Sequence, residues 1–183
     1  MIEIGPEHQL SYRQEFLEPL FKKIKSAESS SVVGAASVGK TRLLDFFTRA
    51  DVRQFYLQEA NADMLLLRVD CNRMHELSDW GFFELLLMVI SQSCSQNSRA
   101  AALRPQILDL QEQVITVKNS LMALRFFELT VHMLCVENGF NLCFLLDEFD
   151  EAYQKLPKNT LANLRAIRDT NKNRLSYHLF LRN

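Results

Sequence analysis

The pattern of apolar and polar positions along the chain predicts strands and helices taking turns. Met64–Asp70 (MLLLRVD) and Leu142–Leu146 (LCFLL) are continuous apolar runs of strand length, as expected of strands covered on both faces. Leu175–Leu181 reads as a final strand, and Ser31–Val33 as a short one entered through a serine loop. Helical periods lie between them. Phe16, Leu20, Phe21 and Ile24 share one face of a helix over about 13–26. Pro19 lacks an N–H, so the firm part is expected to begin near Glu18, with the proline in its first turn. A helix is expected over about 40–50, followed by irregular or weakly helical chain to 63. Further helices are expected at Trp80–Ser93 behind a Ser78 or Asp79 cap, around Gln106–Val114, and at Thr160–Lys172. A long one over Leu121–Glu137 would open at Asn119 or Ser120 and stop at Asn138-Gly139. Such alternation predicts an α/β fold: a mostly parallel sheet between two helical layers, ligands binding at the carboxyl ends of the strands.

Composition narrows this only a little. A chain of 183 residues suits one domain, and its 48% hydrophobic content suffices for a core. Twenty-one basic against 22 acidic residues leave a net charge of −1, so no surplus advertises nucleic-acid binding, although a local basic face stays open. Cys71, Cys94, Cys135 and Cys143 show no metal-binding spacing and read as reduced core thiols. The N-terminus carries charges where a signal peptide needs an apolar core, and no apolar run approaches the ~18 residues of a membrane span. The expected location is cytoplasmic.

Two segments carry the candidate chemistry. Gly34-Ala35-Ala36-Ser37-Val38-Gly39-Lys40-Thr41 fits G-x-x-x-x-G-K-[ST], between a strand and a helix. The glycines let the backbone turn and approach phosphates closely. Successive N–H groups and the helix N-terminus then face an anion, with Arg42 in the first turn. Lys40 would neutralise β- and γ-phosphate charge and Thr41 would coordinate Mg²⁺. Roughly a hundred residues later, a strand ends in Asp147-Glu148. Asp147 is expected to hold Mg²⁺ and Glu148 to orient or deprotonate a water attacking the γ-phosphate. The alternative for this pair is an acidic helix start with no catalytic role. Arg165 and Arg168, one turn apart, read either as arginine fingers for a neighbouring subunit or as helix charges pairing locally with Asp169. His132 and His178 lie in apolar elements and read as structural.

GAASVGKT and LCFLLDE resemble the Walker A and Walker B motifs of P-loop NTPases, and the DE ending resembles the additional-strand class that includes AAA+ and STAND ATPases. Tyr12-Arg13-Gln14-Glu15-Phe16 is similar to the motif that lies near the adenine in STAND-like and initiator-like members, though no glycine precedes Arg13. Leu179-Phe180-Leu181-Arg182 looks like the STAND sensor-1 strand, whose arginine faces the γ-phosphate; the adjacent Asn183 shifts the match by one residue. The resemblance implies a three-layer P-loop core over 1–183: an N-terminal lead and helix in 1–28, then the nucleotide-binding sheet and helices in 29–183. It implies ATP or ADP and Mg²⁺ as cofactors, and ATP hydrolysis coupled to a conformational switch in signalling or regulation. The alternatives are a nucleotide-stabilised protein-docking module with little hydrolysis, or an initiator-like ATPase acting with nucleic acid. The family's fifth strand and helical lid are expected to be missing after the sensor-1 strand, which would weaken nucleotide binding. The edge of the first strand should then be open, covered by the N-terminal segment or by self-association.

Overall fold

The computed structural model describes residue 10, residues 13–34 and residues 40–182, without the side chains of Lys40, Thr41 and Arg182. Tyr12, Ala35–Gly39 and Asn183 therefore lie outside the described residues.

Helix α1 (Gln14–Lys25) leads into strand β1 (Ser30–Gly34), then α2 (Lys40–Thr48) and α3 (Ala50–Leu57). Strand β2 (Met64–Asp70) is followed by α4 (Asp79–Cys94), α5 (Arg104–Val117) and α6 (Ser120–His132). Strand β3 (Asn141–Asp147), α7 (Phe149–Lys155), α8 (Lys158–Thr170) and strand β4 (Leu175–Arg182) complete the order. The four strands form one sheet in the order β1-β4-β3-β2, every neighbouring pair parallel.

Strand alternation divides the core in two. Met64, Leu66, Cys143, Leu145 and Phe180 pack against α1, α2 and α3 on one face. Leu65, Leu67, Val69, Leu142, Phe144 and Leu146 pack against α4 to α8 on the other. The result is three layers. The chain crosses the sheet from β1 to β2 through α2 and α3, then returns through helices on the opposite face. That reversal is what right-handed crossovers require when the direction of travel changes.

Local chemistry sets the boundaries, and four of them correct the sequence expectation. Helix α1 begins at Gln14, not Glu18, with Pro19 in its interior on an exposed face. The expected helix over 40–50 breaks at Arg49, which forms an ion pair with Asp51, and of the two readings for the chain beyond it, irregular or weakly helical, α3 is the helical one. Helix α5 runs from Arg104, longer than the expected 106–114, with Pro105 in its first turn where no N–H is missed. Helix α6 ends at His132 and widens into a π-helical turn, Met133–Glu137, before the expected Asn138-Gly139 stop, where Gly139 takes φ +74°. The caps were legible. Ser78 accepts from the Gly81 N–H at 3.1 Å, and Asn119 from the Met122 N–H at 3.1 Å. At Gly81 a Cβ would stand 2.3 Å from the Glu76 carbonyl oxygen, so the close approach of chain and helix demands glycine. Among the described residues no helix is long and apolar enough to cross a membrane.

Candidate functional site

Parallel pairing brings the carboxyl ends of all four strands to one side. Gly34, ending β1, stands in register with Arg182 of β4. Asp70, ending β2, stands in register with Asp147 of β3. The start of the phosphate-loop candidate, the backbone of Arg182 and the acidic pair thus occupy one sheet edge, although the sequence separates them by more than a hundred residues. At Gly34 a Cβ would meet nothing within 4 Å, so the space beside it is open. Lys40 and Thr41 open α2, in the first turn where N–H groups have no partner within the helix.

Asp147 is nearly buried, at 4% exposure. Its Oδ1 accepts from the Glu148 N–H at 3.0 Å, and its Oδ2 lies 3.8 Å from Arg68 Nη2. Burial raises its carboxyl pKa; the Arg68 guanidinium and the Glu148 N–H work against that rise, and the charges of Glu148 and Asp70 add to it. Glu148 precedes α7 with φ +53°, a left-handed conformation that a residue with a Cβ adopts at a cost. That turn sets the glutamate beside a cavity of about 130 Å³ shared with Cys71, Asn72, Glu151 and Ala152. Asp150 and Glu151 fall in the first turn of α7, where acids complement the helix dipole.

Sequence reasoning missed Arg68. Its guanidinium contacts Asp45 of α2 and lies within ion-pair range of Asp147, so it spans from the helix after the phosphate loop to the acidic strand end. The signal was present as one cation inside a strand whose other residues before Asp70 are all apolar, MLLLRVD. Asp70 was missed too; its Oδ1 accepts from the Asn72 N–H at 3.0 Å.

Other candidates fall elsewhere. Arg165 and Arg168 both pair with Asp169, Arg168 at 2.6 Å and Arg165 at 3.8 Å. They line a cavity of about 430 Å³ that runs from Ser29 and Ser30 at the start of β1 past Tyr177 to Leu146 and Phe149. Arg13, left-handed at φ 50°, lines a surface depression with Gln14, Glu15 and Phe16. His132 is exposed and lies 3.7 Å from Glu137, since the apolar face of its helix points elsewhere.

The donor chemistry fits a hard cation shared with phosphates. Asp147 offers oxygens, one of them held only by a long ion pair, and Mg²⁺ is commonly held by one or two carboxylates plus substrate phosphate oxygens. Among the described residues no group of three or more His, Cys, Asp or Glu could hold a metal by itself.

No family model matches the chain, and no curated protein matches it. Among solved structures it is similar to the Aeropyrum pernix ORC2 protein in its ADP form, with 19% identity and a TM-score of 0.61. The match covers 98% of this chain and 43% of the other, so the chain spans less than half the length of that neighbour. The likeness is one of fold.

Proposed function

We propose that the chain is the nucleotide-binding core of a P-loop ATPase that binds Mg²⁺-ATP at the carboxyl edge of its sheet. The observation that supports this most is the register that sets Gly34, Arg182 and Asp147 at the ends of three adjoining strands. In this reading the backbone N–H groups of 34–39 and the start of α2 cradle the phosphates, and Lys40 offsets β- and γ-phosphate charge. Thr41 and Asp147 would hold Mg²⁺, which when bound neutralises charge across the β- and γ-phosphates. Arg42 follows in the first turn of α2, and Arg182 reaches the γ-phosphate as its resemblance implies. Glu148 orients a water and accepts its proton as the water oxygen bonds to the γ-phosphorus and the bond to the β-phosphate bridge breaks, leaving ADP and phosphate.

The fold likeness to an ORC2 protein favours the initiator-like alternative over a STAND signalling switch. The docking-module alternative keeps Lys40 and Thr41 but needs no Glu148. Thermal denaturation tests the phosphate loop, and turnover separates the ATPase from the docking module. Saturating Mg²⁺-ATP should stabilise the chain by about 2.7 kcal/mol at a hundred times Kd, and Lys40→Ala should abolish that response. Glu148→Gln should keep the response and lower turnover ~10²–10⁴-fold. An equal response in Lys40→Ala overturns the phosphate-loop assignment. Turnover equal in Glu148→Gln and wild type leaves the docking module.

A further inference from the structure

Arg68 is an anomaly of the β2 strand. Met64, Leu66, Arg68 and Asp70 share the face that α1, α2 and α3 cover, and only the last two of these are polar. A cation placed there is costly unless paired. Asp147 faces the same layer, two positions beyond Leu145. Asp45 approaches from α2 and contacts the guanidinium. Asp45 and Asp147 therefore flank one guanidinium, which keeps 30% exposure, while the charges of Asp70 and Glu148 bear on Asp147 itself. The two contacts of Arg68 are unequal. Its firm partner is Asp45, whereas Asp147 Oδ2 stands 3.8 Å away. A guanidinium so held can give up Asp147 and remain anchored to α2.

We propose that Arg68 is the resident counter-cation of Asp147, a positioning residue that balances this carboxylate until a divalent cation arrives with nucleotide, and that thereby sets the affinity for that cation. The exchange rests on the ATPase reading above; the pairing of Arg68 with Asp147 does not. While Arg68 stands beside Asp147, an incoming divalent ion meets a like charge. Once Arg68 yields, the ion takes over the compensation of the buried carboxylate. Through Asp45 the same side chain ties the helix after the phosphate loop to the acidic strand end, so cation arrival is sensed at both.

Two measurements test this. In the nucleotide-free chain, urea unfolding is followed for Arg68→Gln, Asp147→Asn and the double variant. Arg68→Gln should raise the unfolding constant about tenfold in the wild-type background and several-fold less in the Asp147→Asn background, where only its contact with Asp45 is lost. Equal effects in both backgrounds overturn the pairing. With ATP present, Mn²⁺ binding is read by electron paramagnetic resonance. Arg68→Gln should tighten Mn²⁺ on the order of tenfold, while Arg68→Lys stays near wild type. A purely structural role for Arg68 would loosen binding or leave it unchanged, and either result overturns the exchange. A wild-type chain that binds no Mn²⁺-ATP overturns the exchange together with the nucleotide reading, and the nucleotide-free cycle still decides the pairing.

Discussion

The seam between β2 and β3 and the seam between β1 and β4 are made of different materials. Between β2 and β3, seven residue pairs align, and ten of the fourteen side chains are buried Leu, Val, Phe, Met or Cys with helices over both faces. Between β1 and β4, five pairs align, and β1 alternates between half-buried and exposed positions. Polar contacts hold that seam: Ser30 Oγ lies 2.8 Å from His178 Nδ1, and Ser29 Oγ accepts from the Tyr177 N–H at 3.0 Å. The phosphate-loop candidate hangs from the second seam and the acidic pair from the first. A ligand bridging both would contribute most where the apolar packing is thinnest.

The largest expected effect sharpens this contrast. Phe144 is fully buried and packs against the rings of Phe127 and Tyr177, so Phe144→Ala should cost about 3–5 kcal/mol in urea unfolding. Val33, 56% exposed on β1, should cost under about 0.5 kcal/mol as Val33→Ala. Similar costs at the two positions would erase the distinction.

The next effect belongs to the polar seam. Burial, with a smaller push from Lys23 of α1, lowers the His178 pKa from its usual 6.5 to about 4. Between those values the unfolded chain binds the proton and the native chain refuses it, so stability falls as pH falls from about 6.5 to 4. The His178 share of that loss approaches roughly 3 kcal/mol, and a His178→Gln variant should lack it and keep only the slope that the carboxylates give. Unfolding midpoints measured across the window check it; parallel profiles for the two chains would remove His178 as the cause.

The smallest effect concerns the outer edge of β1, which no strand among the described residues covers. Ser31 is exposed there, and β1 carries no charge or proline to discourage pairing. Ser31→Lys should shift sedimentation toward monomer while changing stability by less than about 0.5 kcal/mol. A monomeric wild type whose β1 amides exchange freely would show that this edge needs no cover.

These contrasts also explain what the sequence could reveal. β2 and β3 were legible because a strand covered on both faces is mostly apolar, and continuous runs as short as MLLL and LCFLL suit strands better than helices. The break at Arg49 was not, because Leu43, Phe47, Val52 and Tyr56 continue one buried face across it without glycine or proline. The π-helical turn escaped for a similar reason: an extra residue in one turn leaves no mark on composition. At the site, motif spacing identified Gly34 and Asp147 as strand-end residues. Arg68 was hidden because its partners, Asp45 and Asp147, lie 23 and 79 residues away, and only the fold brings them together.

The four thiols have a consequence of their own. Cys71, Cys94, Cys135 and Cys143 are all buried, and burial first of all holds their pKa values up at about 11 to 12. An oxidant or electrophile reacts with the thiolate and not the thiol, so burial shields these cysteines in the native chain at neutral pH. All four sit in or against the β2–β3 half, which means that opening the β1–β4 seam alone unmasks none of them. Chemical damage therefore waits on loss of the apolar half, and an oxidised molecule is one that had already come apart.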